Sequence, residues 1–176
     1  LAGDSAGAHI AAQAVLLATN PKYEQAIGVK SSIDKNQLKA TMLFCGPFDV
    51  SKMLDTGSKT LDFFASRIGW ALFGDKKWKD GEMIKTTTIK DYATADFPTC
   101  FITDGNSGSF ESQGKELAAF LESIGVNVKS LFFKKEDYGL IEHEYQFNIG
   151  SKVSGTICYE NVLDFLNTIN LKGNNN

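Results

Sequence analysis

The sequence is short of the residues that build metal, disulfide or redox sites. Among its 176 residues there are only two histidines, His9 and His143, and three cysteines, Cys45, Cys100 and Cys158. The cysteines are odd in number and far apart, so they read as small buried hydrophobes rather than a disulfide framework. His and Cys lack ligand spacing, so no metal and no organic cofactor is expected. A marked excess of either charge is also lacking. The net charge is −3 with no basic block, which argues against nucleic acid or an anionic membrane as main partner. No apolar run is long enough to span a bilayer. The sparse, unpaired cysteines favour a reducing compartment such as the cytoplasm. An initiator methionine is missing too. The chain opens on Leu1-Ala2, and the C-terminal part of a longer chain is the expectation, so the lack of a leader carries no information about secretion.

What is present fits one globular domain. Apolar residues make up 43% and charged residues 22%, enough for a sizeable core at this length. The opening stretch is the most informative. Gly3-Asp4-Ser5-Ala6-Gly7 fits Gly-x-Ser-x-Gly, with a helix-forming run from Ala8 to Ala18 directly behind it. A strand ending in a sharp turn into a helix holds such a serine in strained geometry and demands small neighbours. The helix aims its positive end at the turn, and the Ala6 N–H is placed as an oxyanion donor.

Downstream, strands and helices alternate. A helix over 8–19 ends at Asn20-Pro21, and residues 22–38 read as a polar, mixed loop with room for one helical turn. Strands are expected over 38–45, 99–103 and 126–135, and helices over 111–124 and 159–169. The charged run 134–137 reads as a solvated strand end. Residues 138–152 read as a loop carrying His143, and 172–176 as a disordered tail. Residues 50–97 break the alternation with helical spacing and aromatic bulk, and are expected to be an inserted helical cap. The fold class is therefore α/β, a mostly parallel sheet with helices on both faces. Its core is expected in 1–49 and 98–171, with the cap in 50–97. Ligands in such sheets bind beyond the C-terminal strand ends. Ser5, Asp49, Asp104 and His143 all fall at or just past those ends.

A serine hydroxyl needs a base within hydrogen-bond reach and a group that orients the base. His9, one turn into the first helix, cannot easily fold back onto Ser5 and is expected to pack or hydrogen-bond beneath the turn. His143 is the expected base.

Several stretches carry a family resemblance. Leu1 to Ile10 resembles the nucleophile elbow of α/β-hydrolases, and Gly-Asp-Ser-Ala-Gly is similar to the form in carboxylesterases and lipases of the hormone-sensitive-lipase-like branch. Leu43 to Asp49 resembles that branch's sixth strand and Asp96 to Thr103 its seventh. His143-Glu144-Tyr145 stands where the family has its histidine. The resemblance covers nearly the whole chain but only the second half of the family's fold, from the elbow onward. It implies a carboxylic ester as small-molecule substrate, cleaved through an acyl-enzyme on Ser5 with His143 as base. It also implies a missing N-terminal half that would supply a second oxyanion donor, a loss worth about 10²–10³ in rate. The fragment alone is therefore expected to be inactive, and the sheet edge it leaves open invites self-association into a homo-oligomer.

The acid departs from the pattern. Where the family has its acid, this chain reads Asn106-Ser107-Gly108, without a carboxylate. Asp104 and Asp49 are the candidates, Asp104 slightly ahead, with Glu111 a third acid nearby whose plain role is charge at a helix N-terminus. Loss of an orienting acid costs a triad roughly 10⁴ in rate. Asp4, Phe64, Trp70 and Phe73, with Phe63, are candidates for a substrate pocket. The alternatives to an esterase are a non-catalytic binding module of the same fold and a peptidase.

Overall fold

The computed structural model describes residues 1–53 and 59–173. Four strands, β1 (Ala2–Asp4), β2 (Thr41–Phe44), β3 (Cys100–Asp104) and β4 (Val128–Phe132), lie side by side in the order β1-β2-β3-β4. Every neighbouring pair is parallel, with Asp4 level with Phe44, Phe44 with Thr103 and Asp104 with Phe132. The strands therefore end together, and the loops that follow them meet on one side of the sheet. The connecting helices are α1 (Ala6–Thr19), α2 (Pro21–Ile27), α3 (Lys59–Phe73), α4 (Ile89–Tyr92), α5 (Glu111–Ser123), α6 (Lys135–Tyr138) and α7 (Val153–Gly173).

Period-two side-chain alternation divides the core into two layers. Leu43, Cys100 and Ile102 pack with Ala8, Ala12, Val15 and Leu16 of α1 and with Leu117 and Leu121 of α5. Phe101 points the other way and joins Cys45, Phe133, Tyr145, Cys158 and Phe165, with Met42, Phe44 and Leu131 against them. All five residues of β3 are buried, as a parallel strand covered on both faces requires. Each fully buried large side chain of this kind contributes roughly 1.5–3 kcal/mol of transfer free energy.

The segment after β2 has a small core of its own. Val50, Trp78 and Ile84 are its buried members, with Met53, Trp70 and Phe73 against them. Phe73 stacks on Trp78 at 5.5 Å between ring centres. Ile89 and Phe97 instead pack into the sheet core with Leu43 and Leu117, so the end of this stretch belongs with the sheet.

Three local expectations change. Residues 21–27 form a helix, not a loop. Pro21 ends α1, yet it also sits in the first turn of α2, where its missing N–H costs nothing. The Asn20 side chain accepts from the Lys22 N–H, and Gly28 closes the helix at φ 70°. The charged run 134–137 is a helical turn rather than a strand end, since β4 stops at Phe132 and α6 spans Lys135–Tyr138. The last helix begins six residues early, at Val153. Its first turn is rich in Ser, Gly and Thr, which masks it, but a Cβ at Gly155 would lie 2.6 Å from the Asn148 carbonyl group. Close packing against the preceding turn demands glycine there. α7 also takes in residues 172 and 173 of the expected tail, while 174–176 lie outside the described residues.

Candidate active site

Ser5 stands between β1 and α1 with φ 53° and ψ −122°, a conformation that non-glycine residues adopt only when the surroundings impose it. Its N–H donates to the Phe44 carbonyl at 2.9 Å, and its own carbonyl accepts from the Ala8 N–H at 3.0 Å. The backbone thus leaves the sheet and enters the helix within one residue. Ala6 opens α1, where the first N–H groups have no intrahelical acceptor. Among the described residues, the other non-glycine residues at positive φ are Cys45 and Glu144, both beside the same site. All three sit where the chain turns sharply at its rim.

His143 lies on the loop after α6. Its Nε2 is 3.0 Å from Ser5 Oγ, across 138 positions of sequence. Its Nδ1 is 2.6 Å from Ser109 Oγ. The Ser109 hydroxyl donates in turn to Asp104 Oδ1, which also accepts the Gly105 N–H at 2.7 Å. Asp104 is fully buried at the end of β3. Burial pushes its carboxyl above the ordinary range, against the bonds from Ser109 and Gly105 and the nearby His143. The Phe110 ring meets the His143 ring edge-on at 5.7 Å.

The loop that carries His143 is tied to the loop after β3. Asn106 Nδ2 donates to the Gly139 carbonyl at 2.9 Å and to the Phe133 carbonyl at 3.3 Å. Asn106 Oδ1 accepts the Ile141 N–H at 2.9 Å, and the Ser107 N–H donates to the Ile141 carbonyl at 3.0 Å. A Cβ at Gly105 would fall 2.2 Å from the Glu142 carbonyl oxygen, so the two loops touch backbone to backbone. Gln146 completes the floor. Its Nε2 donates to Asp4 Oδ1 at 2.5 Å, and its Oε1 accepts from Cys45 Sγ at 3.4 Å. Burial raises the Asp4 carboxyl, with the Gln146 bond opposing.

The other candidates fall elsewhere. Asp49 is occupied by its own turn: Oδ1 accepts the Ser51 N–H at 3.1 Å and the Ser51 hydroxyl at 2.5 Å, and Lys52 lies 3.7 Å from Oδ2. Strand-end aspartates commonly bind their own backbone in this way. Glu111 pairs with Lys115 at 2.8 Å. His9 is buried beneath the turn, its Nδ1 donating to the Pro47 carbonyl at 2.7 Å. An apolar groove of about 420 Å³ runs between α1 and the segment after β2, lined by Ala6, Ile10, Val50, Ile68, Leu72 and Phe73 among others. Of the pocket candidates, Phe73 alone lines it. Phe64 is exposed and meets Phe63 edge-on, and Trp70 carries Arg67 and Lys76 over its ring. Asp4 lines a different groove, along β1 with Phe147 and Ile149.

Cys45, Asp104 and His143 bring one potential metal-ligating atom each within 4.8 Å of one another. The Cys45 thiol is pushed up to about 12 by burial, with the Asp104 charge adding to it. A thiol held this way would bind a metal only with loss of its proton. All three cysteines are buried and free.

Sequence reasoning missed Ser109, Asn106 and Gln146. Ser109 had a faint signal. It is the last polar residue of a turn cluster that lacks the carboxylate expected there, and a hydroxyl can stand between two such groups. Asn106 and Gln146 had none, because their partners are distant in sequence.

The comparisons with known proteins bear on the family and the fold. A family model described as BD-FAE matches residues 1–121. No curated protein sequence matches the chain. In fold the chain is similar to an inhibited form of esterase B from Lactobacillus rhamnosis, with a TM-score of 0.69 and 18% identity over 97% of this chain and 52% of that one. It is also similar to a fungal esterase from Rhizomucor miehei, with a TM-score of 0.61 and 19% identity over 97% and 51%. A lipase/esterase from Lactobacillus plantarum follows at a TM-score of 0.53 and 16% identity over 76% and 46%. The chain spans about half the length of these solved structures. It has the α/β-hydrolase fold, and it belongs to the BD-FAE family, in the hormone-sensitive-lipase-like branch of the α/β-hydrolases.

Proposed function

We propose that this chain carries the nucleophile and base of a serine hydrolase that cleaves carboxylic esters through an acyl-enzyme. The observation that carries the reading is Ser5 Oγ at 3.0 Å from His143 Nε2, on a serine held at positive φ. In this scheme His143 Nε2 takes the hydroxyl proton as Ser5 Oγ attacks the ester carbonyl. Negative charge develops on the carbonyl oxygen, and the Ala6 N–H at the head of α1 is aimed to stabilise it. His143 then gives the proton to the leaving alkoxide. Water, activated by the same imidazole, releases the acid. Asp104, joined to His143 through Ser109, is the acid of the scheme, and the bonds of Asp49 to its own turn support that choice over Asp49.

Residues 50–97 are proposed as a cap over the site. The apolar groove between that segment and α1 begins at Ala6, next to the nucleophile, which suits an apolar acyl or alcohol group. The esterases it resembles in fold support the ester over other acyl groups.

One observation favours a second reading. No carboxylate touches His143 directly among the described residues, since Ser109 stands between. A hydrolase-fold module that binds its ligand without turnover fits that fact. A fluorophosphonate probe and a p-nitrophenyl ester separate the two. The test uses the complete protein with any sequence that flanks residues 1–176. The esterase reading expects covalent label on Ser5, lost in Ser5→Ala, with ester turnover lost in parallel. A folded protein that takes no label and turns over no ester overturns it.

A further inference from the structure

We propose that Ser109 is a positioning residue of this site: its hydroxyl sets the orientation and tautomer of His143 and couples the imidazole to Asp104. The inference rests on the serine-hydrolase reading above and adds a fourth member, so that the working order is Ser5, His143, Ser109, Asp104.

The direction of the hydrogen bonds follows from what each group can donate. Asp104 Oδ1 already accepts the Gly105 N–H, and the single proton of the Ser109 hydroxyl goes to the same oxygen. The Ser109 oxygen is then left to accept, and the group 2.6 Å away is His143 Nδ1. Nδ1 must therefore carry the hydrogen. Nε2 is left with its lone pair facing Ser5 Oγ at 3.0 Å, the form a general base needs. With the hydroxyl turned round, Nδ1 would be bare and Nε2 would carry the hydrogen, unable to take the Ser5 proton. Asp104 prevents that reversal from a distance. In the reaction one proton moves, from Ser5 Oγ to Nε2. None leaves Nδ1, and none passes to Asp104.

The surroundings fix the link in place. The Gly105 N–H holds the same carboxylate oxygen at 2.7 Å. The backbone contact at Gly105 and the three bonds of Asn106 clamp the His143 loop against the end of β3. Phe110, the next residue, braces the imidazole edge. The hydroxyl thus sits between two groups whose positions are set independently of it, as a preorganised orienting group must.

The test compares Ser109→Ala and Ser109→Thr with the wild type in the complete protein. Loss of an orienting group costs up to about 10⁴ in rate. Ser109→Ala should lower kcat by about 10²–10⁴ while KM changes less than about threefold. Ser109→Thr, which keeps the hydroxyl, should stay within about tenfold of wild type. Nitrogen-15 chemical shifts of His143 give a readout independent of turnover. Wild type and Ser109→Thr should show the Nδ1–H tautomer, and Ser109→Ala a loss of that preference. If Ser109→Ala retains both kcat and the tautomer, the inference is overturned. If the wild type neither labels nor turns over ester, the hydrolase reading falls, and the His143 tautomer in Ser109→Ala still decides whether Ser109 orients the ring.

Discussion

Two glycines of one short motif should respond in opposite ways to the same added methyl group. A Cβ on Gly3 would lie 2.1 Å from the Gly7 carbonyl oxygen, 2.4 Å from its carbon and 2.7 Å from the Ala8 nitrogen. All three are backbone atoms of the first turn of α1, so no side chain can swing aside. Non-bonded heavy atoms settle at roughly 3.5–4 Å, so β1 and α1 would have to separate by about an ångström or more. The hinge between them is Ser5, already at φ 53°, which leaves little room to absorb that shift. Ordinary overpacking costs about 1–3 kcal/mol, and Gly3→Ala should meet or exceed the top of that range. Gly7 is different. Nothing lies within 4 Å of a Cβ there, and the residue is helical. Gly7→Ala should be neutral or stabilise by about 0.5–1 kcal/mol. Urea unfolding reads both. With an m-value of about 1–3 kcal/mol/M, Gly3→Ala should lower the midpoint by roughly 1–3 M, while Gly7→Ala leaves it unchanged or slightly raised. Fluorophosphonate labelling of Ser5 should drop in Gly3→Ala as the turn opens. Should both variants unfold within about 0.5 kcal/mol of wild type, the tight-turn account of this motif is wrong.

Other consequences follow from the same geometry. Asn106→Ala removes three bonds that pin the His143 loop, each worth about 0.5–1.5 kcal/mol. It should destabilise by about 1.5–4.5 kcal/mol and lower kcat more than it raises KM, measured by denaturant melts and steady-state kinetics. Burial lowers the His9 imidazole below its usual 6.5, against the Pro47 bond and the Asp49 charge. As pH falls, the unfolded chain therefore takes the proton first. The stability His9 contributes is complete above about 6.5 and is lost as pH falls from there through its lower folded value. His9→Gln should flatten the fall in urea midpoint between about pH 7 and pH 5.

Much of the fold was legible from local pattern. The apolar runs at Thr41–Phe44 and Cys100–Asp104 became central strands because burial on both faces leaves a continuous apolar signature. Pro21 misled, since one residue both ended a helix and began another. Ser154-Gly155-Thr156 hid the start of α7, because those residues are chosen there for close packing rather than helix propensity. Within the site, Ser5 and His143 were legible because a strained serine turn has a sequence signature and the sequence has few histidines to weigh. The two acids were not separable by sequence. Asp104 is the last residue of β3 and Asp49 lies in the turn past the end of β2, and their contacts differ, Asp49 with Ser51 and Asp104 with Ser109.

The sequence by itself determined the strands and most of the helices, the turn at Ser5 and the histidine that pairs with it. Each is written in residues adjacent in the chain, or in an alternation that fixes which ends of the strands come together. The tertiary structure decided what stands between His143 and Asp104. A serine in a turn cluster ordinarily binds its own backbone, and the carboxylate missing from the cluster is only a faint local mark of Ser109. Its partners lie 34 and five positions away, and one of them arrives on a loop held in place by Asn106 and by the missing side chain of Gly105. Which groups meet there is set by the packing of two loops, and the pattern of neither loop contains it.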